Sequence, residues 1–179
     1  MKHRGLILAA LALLAPVPAL AQTMTPVAAL KPLEFLVGRW EGGGRVADGG
    51  ESAQGASTIS VEANGRVLLR QDRNTVFDKT GKATQSFGQV MMIYAEADGV
   101  RADYADGEGH VIHYGPAAIV AGSSVEFASS APPGAPVFRL RYEARGPNEL
   151  RIAFAVRPPG QAAFQPIADG VVHRVSAPR

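Results

Sequence analysis

Four histidines, 16 acidic residues and no cysteine bound the chemistry open to this chain of 179 residues. His110 and His113 stand three apart in a strand-like run, so they fall on opposite faces and cannot grip one metal as a helical pair would. There is no thiol nucleophile, no Gly-x-Ser-x-Gly elbow and no phosphate loop. Asp98, Asp103, Asp106 and Glu108 gather around hairpin turns, where acidic side chains serve turn geometry and solvation. Arg70, Asp72 and Arg73 alternate along a candidate strand and read as a solvated face, although Arg70 could also reach a ligand carboxylate. No catalytic residue and no metal site are assigned on this pattern, and an enzyme is the less favoured reading.

The N-terminus sets where those residues work. Lys2, His3 and Arg4 precede the apolar run Leu6 to Leu14, then Pro16-Val-Pro-Ala-Leu-Ala21 before Gln22, the pattern of a cleaved secretory signal. The run is shorter than the roughly 20 apolar residues of a membrane span and two prolines follow it. The expected organisation is a signal peptide over residues 1–21, a lead-in over 22–34 and one domain over 35–179, periplasmic or secreted. Losing Lys2 and Arg4 with the leader leaves 16 basic against 16 acidic residues, and no basic run interleaves with aromatics. Nucleic acid is therefore not an expected partner. Without disulfides the domain depends on an ordinary core.

The rest of the chain reads as short strands punctuated by Gly, Asp, Asn and Pro. Ten candidates run Leu36–Val46, Gly55–Glu62, Val67–Val76, Phe87–Tyr94, Val100–Tyr104, Val111–Ala118, Val125–Ala128, Val137–Ala144, Leu150–Val156 and Gly170–Val175. Turn signals recur about every ten residues, which predicts an all-β antiparallel fold. In Val137–Ala144, Phe138, Leu140 and Tyr142 share one face against Arg139, Arg141 and Glu143; in Leu150–Val156, Leu150, Ile152 and Phe154 share another. One apolar and one polar face describe a barrel wall. A two-residue turn at Asp98-Gly99 places Ile93 across from Tyr104, and an even-length turn at Gly107-Glu108 sets Tyr104 across from Val111. That register puts Gln89, Met91, Ile93, Ala102, Tyr104, Val111 and His113 on one inward face. Thr25-Pro26 is the expected start of one short helix or turn.

Gly38-Arg39-Trp40 opens the first strand, where a large aromatic after a glycine can plug a barrel end. Arg174, on the last strand, can stack on that indole and bond the lead-in carbonyls. With Phe35-Leu-Val-Gly-Arg-Trp-Glu-Gly42, Tyr104-Ala-Asp-Gly-Glu-Gly-His110-Val-Ile-His-Tyr114, Phe138-Arg-Leu-Arg-Tyr142 and Gly170 to Arg174, the chain resembles the calycin superfamily. It is similar to bacterial lipocalin-like or fatty-acid-binding-protein-like barrels and, more distantly, to nitrobindin-like barrels. The resemblance implies a single antiparallel barrel of about eight to ten strands. It also implies a binding role, with a small apolar ligand against Met91, Ile93, Tyr104, His113, Phe138, Tyr142 and Phe154. Gly38, Trp40 and Arg174 would close the barrel. No cofactor is expected on the main reading. Three alternatives stay open: a haem protein using His173, a filled barrel with a structural or partner-binding role, and a calycin-type enzyme. No membrane span is expected, and no oligomeric state follows.

Overall fold

Side chains that alternate inward and outward run through eleven antiparallel strands among residues 25–46 and 50–176, which the computed structural model describes. The expected signal peptide lies outside these residues. The strands are β1 (Gly38–Val46), β2 (Ser52–Glu62), β3 (Val67–Phe77), β4 (Ala83–Glu96), β5 (Gly99–Asp106), β6 (Val111–Tyr114), β7 (Ala118–Val120), β8 (Ser124–Ala128), β9 (Val137–Ala144), β10 (Glu149–Arg157) and β11 (Gln165–Val175). They form one sheet in the order β6-β5-β4-β3-β2-β1-β11-β10-β9-β8-β7. The sheet curls until the segment after β8 meets β6. A bridge joins Tyr114 to Ser129 there, flanked by Gly115 N donating to Ala128 O (2.9 Å) and Ser130 N to His113 O (3.1 Å).

All ten candidate strands are present, and one divides. The run Val111–Ala118 breaks at Gly115-Pro116 into β6 and β7, where proline has no amide hydrogen to give a ladder. The lead-in helix is a 3-10 turn over Lys31–Leu36 with Pro32 in its first turn, not one begun at Thr25-Pro26. Upstream, the Val27 amide is already committed to Gly65 O at 2.9 Å. That bond ties the lead-in to the β2–β3 turn and delays the helix.

The end at which β1 begins, here the base, is sealed by the most apolar residues of the chain. Leu30, Leu33 and Leu36 of the lead-in are fully buried against Trp40, Ile59, Leu68, Ile93, Val125, Phe127 and Leu150. Trp40 is 1% exposed and donates its indole N–H to Leu36 O at 2.8 Å. Arg174 stands directly across the β1–β11 ladder from Trp40, its guanidinium 4.2 Å above the ring. Arg174 donates to Val37 O (2.6 Å), Phe35 O (3.1 Å) and Pro147 O (3.2 Å). The first two carbonyls are at the end of the short helix, where intrahelical donors run out, and the third is in the β9–β10 turn. Gly38, at φ 141°, leaves room for this: a Cβ there would collide with an Arg174 guanidinium nitrogen.

Two hairpins correct the expected register. The β4–β5 turn falls at Ala97-Asp98, so Ile93 faces Ala102 and Met91 faces Tyr104. This displaces the pairing by two and keeps every side chain on its expected face. The β5–β6 loop is odd: Gly107, Glu108 and Gly109, with Gly109 left-handed at φ 91° and Asp106 N bonded to His110 O. Tyr104 therefore faces Ile112, not Val111. Ile112 and Tyr114 turn inward, while Val111, 62% exposed, and His113 turn out.

Trp40→Ala should cost about 3–5 kcal/mol, since it empties the centre of the base plug. A double-mutant cycle with Arg174→Ala, read by urea denaturation, should give a coupling of at least about 0.5 kcal/mol. Strict additivity would show that the stack contributes nothing.

Candidate functional site

Exposure of the inward residues rises steadily from the base to the opposite end, the mouth. Along β3, Leu68 is fully buried, Arg70 and Asp72 nearly so, and Asn74 half-buried. On β4, Ile93 and Met91 are fully buried while Gln89 and Phe87 are half-buried. Tyr142 and Leu140 give way to half-buried Phe138 on β9, and Leu150 to Ile152 and Phe154 on β10. The lower half is thus packed solid and the upper half is a cup that solvent enters. On β1, β2 and β11 the cup wall is nearly free of side chains, through Gly42, Gly44, Gly55 and Gly170. On β10 and β9, the strands that follow β11 in the sheet, it is aromatic: Phe138 and Phe154 stack with centroids 5.8 Å apart and planes 13° apart.

A connected polar layer forms the floor of the cup. The Arg70 guanidinium pairs edge-on with both oxygens of Asp72. It also donates to the Tyr142 hydroxyl at 2.5 Å and to Gln89 Oε1 at 3.2 Å. Gln89 Oε1 accepts from Asn74 Nδ2 (3.1 Å), and Gln89 Nε2 donates to the Tyr104 hydroxyl (2.8 Å). Tyr104 in turn donates to Asp106 Oδ2 at 3.0 Å. Opposite walls meet here, because Tyr142 of β9 also touches Met91 of β4 (3.8 Å, OH to S). The register explains the layer: Arg70, Met91 and Tyr104 are directly paired across β3–β4–β5, with Asp72, Gln89 and Asp106 one step toward the mouth. Arg70 and Asp72 are therefore buried, and the solvated-face reading holds only for Arg73, which points out.

Burial pushes the Tyr142 phenol up to about 12, against the opposing pull of the Arg70 cation and with some help from Asp72. Burial raises Tyr104 as well, reinforced by its bond to Asp106. Burial works to raise Asp106 too, but bonds from the His110 amide and ring, the Tyr104 hydroxyl and the Glu108 amide outweigh it and hold the carboxyl low. Burial would lower Arg70, yet Tyr142 and Asp72 more than compensate and keep it a cation.

The residues expected at the ligand divide into three groups. Tyr104, Phe138 and Phe154 line or floor the cup. Met91, Ile93 and Tyr142 are inward but sit in the packed half, at no solvent-reached surface. His113 is on the outer face, bonded to Asp103 at 2.7 Å with a side chain 74% exposed, because the odd β5–β6 loop inverted its strand. His173 is also outside, 65% exposed and across from Glu41, since its neighbour Arg174 is the one turned inward. From there its ring cannot reach a haem held inside the barrel. Asp106, Glu108 and His110 offer ligand atoms within 4.8 Å of one another, but Asp106 is occupied by the turn's own donors.

Sequence reasoning missed Asp72, Asn74 and Asp106 as inward groups. The available signal was Arg70 and Asp72 two apart on one strand, hence on one face, able to neutralise each other away from water. Two hollows lie outside the barrel. One, of about 600 Å³, runs over β1–β3 between Glu41, Gln54, Arg73 and Phe77. The other, of about 360 Å³, lies beside Phe35 and Pro147. Neither gathers buried polar groups.

Fold and site together define an all-β, antiparallel, single-sheet barrel that is plugged at the base and open as a cup at the mouth. No protein-family model matches the chain, and no curated protein matches it. Among solved structures it is similar to EF1p2_mFAP2b bound to DFHBI, at 12% identity and TM-score 0.43 over 83% of this chain and 100% of that one. It is similar to a de novo designed fluorescence-activating β-barrel, at 11% and 0.44 over 81% and 98%. The S-type phycobiliprotein lyase CPES from Guillardia theta gives 8% and 0.48 over 82% and 91%.

All four tyrosines are raised above the ordinary value of 10, each chiefly by burial. A group raised on folding stabilises the fold in full below its unfolded pKa and loses that contribution as pH climbs to its folded one. Tyr142 should therefore cost stability between pH 10 and about 12. At pH about 10 the folded protein should show markedly less phenolate absorbance than guanidinium-unfolded protein. Folded-state titration of all four at about 10 would contradict the buried layer.

Proposed function

We propose that this protein is a lipocalin-like binding barrel, exported by its leader, that holds or sequesters a small, mostly apolar ligand in the upper half of its interior. The observation that supports this is the exposure gradient. A chain that plugs its base with fully buried leucines and tryptophan leaves Phe138, Phe154, Ile152 and Val172 half-open at the other end. Evolved monomers rarely leave a concave apolar surface wet without use. The polar layer of Arg70, Gln89 and Tyr104 gives that cup a few fixed hydrogen-bonding groups at its floor, the usual make-up of a small-molecule site.

The two halves respond differently to added bulk. Ala168, across the ladder from Phe154 and half-buried, lies in the cup, so Ala168→Phe should lower binding of an apolar fluorescent probe at least severalfold with little change in melting temperature. Ala102, fully buried beneath it, has no such room, and Ala102→Leu should cost about 1–3 kcal/mol by overpacking. Equal melting losses for the two, with no probe bound by the parent protein, would mean a filled barrel and end the binding reading.

A further inference from the structure

The charges that face the cup limit what its ligand can carry. Among the inward-facing described residues of the upper half and its floor they are Arg70, Asp72, Asp106 and, at the rim, His110, whose ring is bonded to Asp106 at 3.0 Å; Arg174, the other inward cation, is at the sealed base. Arg70 is already neutralised. Both Asp72 oxygens take its edge, and its remaining bonds go to Tyr142, Gln89 and the Met91 sulfur. Asp72 and Asp106 lie on the mouth side of Arg70, so an incoming ligand meets carboxylates before it meets the guanidinium. The side chains of Asp72 and Asp106 are 3% and 5% exposed, so water screens their field poorly. With His110 counted as neutral the net formal charge of this wall is negative, and its half-open polar groups, Asn74, Gln89 and Tyr104, are neutral.

Resting on the binding reading above, we propose that the polar end of the ligand is a neutral or cationic hydrogen-bond donor, such as an amide or amine, and that carboxylates are selected against. A donor group can be met by the Asn74 carbonyl, since that of Gln89 already accepts from Asn74 and Arg70, with Asp72 and Asp106 stabilising any positive charge from behind. A carboxylate would have to displace Asp72 to reach Arg70, exchanging one buried pair for another and leaving Asp72 buried without a partner.

Matched amphiphiles test this at neutral pH. Decanoic acid, decanamide and decylamine are each titrated against an apolar fluorescent probe bound to the full chain. Decanamide and decylamine should displace the probe at concentrations at least about tenfold below decanoate, a difference of about 1.4 kcal/mol. Asp72→Asn frees the Arg70 charge and should shift the order toward decanoate. Should that variant fail to fold, Asp106→Asn removes negative charge from the rim and should move the order the same way. Decanoate binding as tightly as the amide to the parent protein would overturn the inference while leaving the binding reading intact. Failure of the parent protein to bind the probe or any of the three would overturn both.

Discussion

The stack of Arg174 on Trp40 is the contact on which the rest of the molecule depends. It joins the first strand to the last across the β1–β11 ladder and hands donors to three carbonyls near the lead-in helix and the β9–β10 turn. A cation held over an aromatic face gains little when exposed and more when desolvated. Here the indole is buried and its own N–H bonds the helix end, so one cluster satisfies the polar groups of the plug and anchors its leucines. Which end is sealed is decided there, and the location of the cup follows.

The Arg70–Asp72 pair divides packed core from cup. Buried ion pairs are seldom favourable against apolar substitutes, but breaking one strands the survivor at a cost of about 3–5 kcal/mol. Here the desolvated charges are offset by a network that leaves no buried side-chain polar atom without a partner among the described residues. Tyr142 bridges the network to the far wall. A polar floor of this kind resists collapse of the upper half onto it and offers fixed dipoles to whatever enters. Beside the Phe138–Phe154 stack the wall of β11 and β1 is bare, because a Cβ at Gly42, Gly44 or Gly170 would collide with the backbone of the neighbouring strand.

Much of this was legible in the residues. Gly38-x-Trp40 and a distant Arg174 announced a closure, and alternation along β9 and β10 announced a wall with one wet face. The β4–β5 pairing survived a misplaced turn because a shift of two preserves every face. The β5–β6 pairing did not: Gly107-Glu108-Gly109 counts three residues, and one residue sent His113 outward and Ile112 inward. Charge on a strand was the other blind spot. Arg70 and Asp72 look alike whether solvated or mutually neutralised, and only the packing of Tyr142 and Gln89 around them distinguishes the two. His173 was ambiguous for the same reason, resolved once Arg174 took the inward position.

The division of the interior into a packed base and an open cup can be measured directly, because the chain has no cysteine of its own. Single cysteines placed at Ile152, Phe154 and Val172 should react readily with a small methanethiosulfonate reagent in the folded protein. Cysteines at Leu68, Ile93 and Leu150 should react only at the rate of unfolding. Equal protection of both sets would show a barrel filled from end to end, and equal reactivity a barrel without a plug; either result would contradict the account.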